Sequence, residues 1–493
     1  MARLVIREVN LLAAVRQFDP DGRINSLDAI PDTELDRWCT LPLTHIWGMG
    51  LWRRSPAGRL IAIAHEGLRR DYFNALPDWK EDDVAGSPYS IQSYEPCECL
   101  GSLTSLLRFR HRLAERGLGF ILDFVPNHLA IDHPWVKQYP GYFISRGEIE
   151  PGQTPPPGWF EVHTTQGVKW LANGRDPYFP AWTDTAQLDF RQIDTREAMI
   201  RELLKIAELC DGVRCDMAML VLNPIFKQTW GGNFDYVPEF WSQAIDAVRA
   251  IKPSFLFLAE AYWGTENRLI ELGFDAVYDK DFMDRAVYGN TNELRSTLPE
   301  RRAWGVRRLR FLENHDEARI ASRVPPEQLP VLSALLWMQP GYILWHEGQE
   351  YGAKVKLPVQ LTRRPVEPVL LEQAAFCTDC GRWLREFPFE YAFSQIIGVN
   401  PSGQNDDTYK KMVPILWWAG NRRLLWIGNL SSVVASGRVP LHISGIAGRT
   451  VRLRDIRDNT EYERDGDEML GIGLFIQLPP DGMHWFEMTT VFE

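Results

Sequence analysis

Residues 119–128 read GFILDFVPNH, an unbroken apolar stretch that runs straight into Asp123, Asn127 and His128. Continuous Phe, Ile, Leu and Val without polar alternation marks a strand buried on both faces, the habit of parallel sheets. An amphipathic helical pattern over 103–116 precedes it. The same grammar recurs along the chain. It predicts strands over 4–12, 44–49, 119–125, 212–217, 255–261, 276–279, 308–313 and 342–346. Helical patterns lie between them, for example over 195–209, 239–251 and 330–338. Eight strands alternating with helices are what a closed (β/α)8 TIM barrel requires, so the predicted class is α/β.

Two stretches break this alternation. After His128 comes a segment rich in Pro, Gly and Trp, including PGQTPPPG at 151–158. A structureless loop of that size is improbable inside a compact domain, so it reads as a small inserted subdomain after the third strand. From about Met412 the pattern turns to short strands separated by turn residues, a C-terminal antiparallel β-domain of sandwich type. The expected organisation is a barrel from 1–128 and 190–395, an insert over 129–189 and a β-domain over 410–493.

The chain has 493 residues and a net charge of −11, without a run of Lys and Arg. Nucleic acid and anionic membrane both demand a concentrated basic surface, so neither is an expected partner. The N-terminus makes a poor signal peptide and no apolar run is long enough to span a bilayer, which gives a cytoplasmic expectation. Seven cysteines without a secretory signal read as free thiols. Cys97, Cys99, Cys377 and Cys380 could supply four zinc ligands. Their separation and the unusual Cys-Glu-Cys spacing favour ordinary thiols, and no metal is expected.

In such barrels chemistry sits at the carboxyl ends of the strands. Four predicted strand ends finish in ionisable residues: ILDFVPNH (121–128), GVRCDMAML (212–220), FLAEAYW (257–263) and FLENHD (311–316). One charged exit is often a cap or an ion pair; four in one chain call for another reason. Cleaving a glycosidic bond with retention needs two carboxyl groups about 5–5.5 Å apart, one attacking and one giving and taking a proton. Asp216 and Glu260 end consecutive strands. Arg214 shares a strand face with Asp216 and would hold it ionised and aimed. Glu260 lies among Leu258, Ala259 and Ala261, neighbours that favour a protonated acid.

These four segments, in this order and spacing, resemble the four short conserved regions of glycoside hydrolase family 13, the α-amylase family. WHEGQEYG (345–352) resembles the end of its eighth strand, and TAQLDF (185–190) its fifth region in the inserted subdomain. The resemblance implies that Asp216 forms the glycosyl-enzyme ester and that Glu260 is the acid/base. It implies that Asp316 binds sugar hydroxyls in the cleavage subsite, that His315 and His128 hydrogen-bond them, and that Arg214 orients Asp216. Tyr89, in SPYSIQSY, matches the aromatic stacked under that sugar. Asp123 and Asn127 read as supports of the site.

The pattern also departs from the family. Where many α-amylases carry Lys-His after the nucleophile, this chain has Met219 and Leu220, so an apolar acceptor subsite is expected. Asn127 alone cannot build the usual calcium site, so calcium is weakly supported and no cofactor is required. Ser90 stands where exo-acting members place Asp. The favoured reading is a retaining hydrolase of α-glucosidic bonds in malto-oligosaccharides or a related small α-glucoside. The alternatives are a transglycosylase of the same family and, more remotely, a non-catalytic carbohydrate-binding protein.

Overall fold

A computed structural model describes residues 3–146, 153–164, 167–235, 237–289, 291–300 and 307–490. Residues 151 and 152 of the proline-rich run thus lie outside the described residues. Eight parallel strands close into a barrel: β1 (Leu4–Asn10), β2 (His45–Met49), β3 (Gly119–Phe124), β4 (Gly212–Cys215), β5 (Leu256–Ala259), β6 (Ala276–Tyr278), β7 (Arg308–Arg310) and β8 (Tyr342–His346). They pair in chain order, and β8 closes on β1 with Leu4 opposite Tyr342 and Glu8 opposite His346.

Period-two alternation sets the two faces of each strand. Ile6 turns inward into a packed interior with Trp47, Ile121, Leu258, Leu309 and Leu344. Its neighbour Val5 turns outward onto Val331 and Leu335 of the helix Leu329–Trp337. The barrel is therefore filled, and any site must lie at its rim.

The strands stop earlier than apolar content alone suggests. β1 ends at Asn10, whose side chain accepts from the Ala13 amide at 3.1 Å and starts the helix Leu11–Phe18. That side-chain cap turns an apolar run that would suit either structure into a helix. β4 ends at Cys215, because Met217 takes a left-handed backbone with φ 41°.

The insert after β3 ties itself to the barrel by pairing His128–Ala130 antiparallel with Thr185–Gln187. It carries a three-stranded sheet of Ser145–Arg146, Gly167–Ala172 and Trp159–Thr164. A second elaboration, between β2 and β3, was not anticipated from sequence. There the helices Pro56–Ala64 and Glu66–Ala75 are framed by a hairpin of Trp52–Arg54 with Ile91–Pro96.

The C-terminal unit is a six-stranded antiparallel sheet accompanied by a two-stranded one, Ala435–Val439 with Leu474–Leu478. The two share a core that includes Leu425, Ile427, Leu441, Leu453 and Ile476. Its edge strand, Phe393–Ile396, pairs with Met412–Ala419, so the sheet begins within the stretch that patterning gives to the barrel. Trp417, Trp426 and Trp485 join the core around the helix Leu329–Trp337, and Trp417 Nε1 donates to the Met338 carbonyl at 2.9 Å. Among the described residues no helix is long and apolar enough to cross a membrane.

Candidate active site

Pairing between β3, β4 and β5 extends one residue past the strands. The Asp216 amide donates to the Phe124 carbonyl at 2.9 Å, and the Glu260 amide to the Cys215 carbonyl at 3.0 Å. Both carboxylates therefore leave the barrel at matched heights. Arg214, fully buried and in register with Asp123 and Leu258, reaches up between them. Its Nη1 meets Asp216 Oδ1 at 2.8 Å and its Nη2 meets Glu260 Oε2 at 2.7 Å. One planar guanidinium thus spans both groups, so the bridged oxygens lie within about 8 Å of each other, a bound that accommodates the retaining separation. Three aromatic faces, from Trp47, Tyr89 and Tyr278, lie 5.1–5.6 Å from the guanidinium carbon and fix its plane.

Three carboxyl groups converge on this single cation, because Asp123 Oδ1 lies 3.8 Å from Arg214 Nη1. Burial raises Asp216 to about 7, opposed by Arg214 and reinforced by the charge of Glu260. Burial likewise raises Asp123 to about 6 against Arg214. Burial thus works against full ionisation of Asp216 and Asp123, and the shared Arg214 guanidinium works for it. Asp123 also accepts from Trp47 Nε1 at 3.1 Å and from the Gly50 amide at 3.2 Å, which ties β2 to β3 below the site.

A second charged assembly stands opposite. His315 Nδ1 lies 2.5 Å from Glu8 Oε1 on β1, and Nε2 lies 3.0 Å from Asp316 Oδ2. Burial works against a charged imidazole here, but Asp316 and Glu8 on its two sides outweigh it and hold His315 at about 10. Burial also opposes the Asp316 charge, yet His315 keeps that carboxyl well below its ordinary value. The Tyr89 hydroxyl sits 2.7 Å from His315 Nε2, and the two rings stack with centroids 5.4 Å apart. His128 is buried, which lowers it to about 4 and leaves it neutral, 5.1 Å from the Trp182 ring.

Tyr89, His128, Asp216, Glu260 and Asp316 all line one cavity of about 580 Å³. Asp123, Arg214 and His315 brace it without being among its lining residues. Asn127 also stands behind the wall. Its side chain exchanges hydrogen bonds with Gln187 at 3.0 and 3.2 Å, joining the insert to β3. An amide engaged in this way does not fit a calcium ligand. Among the described residues no three His, Cys, Asp or Glu side chains gather to hold a metal.

One expectation fails. Met219 and Leu220 do not form an acceptor wall. They lie in the helical turn Ala218–Val221 and are buried, Met219 within the hydrophobic core. The left-handed residue Met217 reverses the chain and turns those side chains away from the cavity. Met217 itself lines it, and its amide donates to Glu260 Oε2 at 2.7 Å.

Other contributors were missed. The Tyr262 hydroxyl donates to Glu260 Oε1 at 2.9 Å, so every oxygen of that carboxyl has a donor. A polar residue two positions past Glu260 was the available signal. Glu8, fully buried within LVIREVN, was announced by a charge inside an apolar strand. Ile61, Leu68 and Trp182 form walls contributed by the two elaborations, and no local pattern marks them.

The fold and site together are a closed (β/α)8 barrel that gathers carboxylates, an arginine and histidines around one cavity at its strand exits. The α-amylase catalytic-domain family model matches residues 81–368, more than half of the sequence. The chain belongs to the α-amylase family. It is 24% identical over 282 residues to alpha-amylase MalA of Haloarcula japonica, covering 56% of this chain and 38% of that one. Against alpha-amylase 3 of Dictyoglomus thermophilum the identity is 23% over 378 residues, covering 71% and 65%. The match thus spans less than two thirds of either relative. The crystal structure of a noncanonic maltogenic alpha-amylase, AmyB from Thermotoga neapolitana, shares the fold with a TM-score of 0.69 at 21% identity, over 99% of both chains.

Proposed function

We propose that the protein is a retaining hydrolase of α-glucosidic bonds, acting on malto-oligosaccharides or a related small α-glucoside. The carrying observation is the Arg214 guanidinium bridging Asp216 and Glu260 on the wall of the cavity. In this reading Asp216 attacks the anomeric carbon while Glu260 protonates the departing oxygen. Glu260 then takes a proton from the water that opens the ester, and both residues return to their starting states. Asp316 and His128 hold hydroxyls of the sugar in the cleavage subsite, and Tyr89 stacks beneath it.

The size of the site supports an oligosaccharide. A second hollow of about 570 Å³ shares Leu68, Asp316 and Gln360 with the first, so the site continues past Asp316. Room for further glucosyl units fits a chain-like substrate better than a blind monosaccharide pocket.

Transfer to an acceptor sugar remains the second reading. It rests on the apolar surface that Met217, Ile61, Leu68 and Trp182 give the cavity, which would disfavour water at the ester.

The test is a panel of starch, maltotriose, maltose, isomaltose, trehalose and sucrose, with products identified with and without added acceptor sugars. Hydrolysis products with a retained anomer are expected. Dominant glycosyl transfer would favour the second reading, and inertness toward every α-glucoside would overturn the substrate class. Glu260→Gln should lower turnover about 10²- to 10⁴-fold while binding persists. Unchanged function in that variant would favour a non-catalytic binding protein.

A further inference from the structure

We propose that Cys97 and Cys99 are a reversible dithiol–disulfide site, oxidised by a small-molecule disulfide of the glutathione type. The two half-buried sulfurs lie against each other, in a helical turn that directly follows the strand Ile91–Pro96. The Cys97 amide donates to the Leu51 carbonyl at 2.8 Å, which anchors the turn against the start of the partner strand.

The second observation is Arg54. This guanidinium is buried, and among the described residues it has no carboxylate within ion-pair distance. Its Nη1 donates to the Gly86 and Val359 carbonyls at 2.8 and 3.1 Å, while Nε and Nη2 have no partner. The cysteine sulfurs lead the negative groups that act on it. A cation near a thiol favours its thiolate, and a thiolate is the attacking species in disulfide exchange. The hydrogen bond from Cys99 and the Arg54 charge bring Cys97 down to about 6 against its burial, whereas Cys99 is raised. Cys97 is thus the attacking sulfur and Cys99 the resolving one.

The exchange balances. The Cys97 thiolate attacks one sulfur of oxidised glutathione, forming a mixed disulfide and releasing one glutathione thiolate, which takes a proton from water. Cys99 gives its proton to solvent and attacks the Cys97 sulfur, expelling the second glutathione. Two protein thiols are oxidised, and one glutathione disulfide becomes two thiols.

The site has a route to the cavity. The strand that ends beside Cys97 begins two residues after Tyr89, and Arg54 braces Gly86 at the other end of that loop.

Peptide mass spectrometry on the full chain, after oxidised glutathione and blocking of remaining thiols, tests the assignment. The peptide holding Cys97 and Cys99 is expected to lose two hydrogens and to regain them with a dithiol reductant. Buried Cys210, Cys215, Cys377 and Cys380 are expected to stay reduced. Cys99→Ser should stop at a mixed disulfide on Cys97, and Cys97→Ser should react far more slowly. A wild-type protein that keeps both thiols, that stops at the mixed disulfide, or whose Cys97→Ser variant reacts as fast as Cys99→Ser would overturn the site.

Discussion

Replacing Glu8 with Gln tests the charged assembly that holds the far wall of the cavity. Glu8 is fully buried on β1, and its nearest partner is the buried His315 imidazole at 2.5 Å. The substitution keeps the shape and one hydrogen-bonding oxygen but removes a charge. His315 rises from its ordinary 6.5 to about 10 despite burial, with Asp316 and Glu8 as the two sources. At about 1.4 kcal/mol per unit the rise corresponds to roughly 5 kcal/mol shared between them. Asp316 is half-exposed and therefore partly screened, so on the order of 2–3 kcal/mol falls to Glu8. That figure lies a little below the roughly 3–5 kcal/mol for breaking a buried pair outright, as expected when a hydrogen bond survives. The sign follows from linkage. A folded-state value above the unfolded one gives stabilisation that is fully present below 6.5 and lost as pH rises through about 10. Urea unfolding of wild type should therefore show stability declining across that window. Glu8→Gln should start lower by the amount above and decline less steeply, with its loss shifted to lower pH. NMR titration of the His315 imidazole should show its value falling by about 1–3 units in the variant. Stability curves that superimpose, or an imidazole that still titrates near 10, would refute the reasoning.

Tyr262→Phe removes the hydroxyl that donates to Glu260 at 2.9 Å and leaves the ring in place. A hydrogen bond to an ionisable carboxyl is worth about 1.5–3 kcal/mol, so kcat should drop roughly 10- to 150-fold with KM little changed, as steady-state kinetics on the preferred glucoside would report. An effect confined to KM would place Tyr262 in substrate binding instead. Gly381 lies in the helix Leu371–Glu386, where an added Cβ would come 2.1 Å from the Thr40 carbonyl oxygen. Gly381→Ala must push helix and loop apart and should cost about 1–3 kcal/mol in urea titration. A neutral result would mean that this loop yields freely.

The legibility of this chain follows the reach of each physical signal. Barrel strands are visible because a strand buried on both faces is mostly apolar until it exits, with the few buried charges such as Glu8, Asp123 and Arg214 paired, and the exit is where Asp216, Glu260 and His315 stand. The fold and the place of the candidate site were readable from one pattern for that reason. Strand ends were less so: LLAAV suits either structure, and only the Asn10 side chain, accepting from Ala13, makes it a helix. Met219 and Leu220 failed for a related reason. Spacing from the nucleophile assumes a continuing backbone direction, and the left-handed turn at Met217 reverses it. Glu8 belongs to a third kind. Its burial could be suspected locally, but its partner lies 307 positions away and becomes a neighbour only when β8 closes on β1. The walls from 56–75 and 181–185 carry no catalytic pattern at all, because apolar side chains lining a cavity look in sequence like any others. Those walls shape the cavity that Asp216 and Glu260 line. The charged centre of such a chain can therefore be read from strand ends, whereas the shape of its cavity is set by elements whose sequence obeys only the rules of packing.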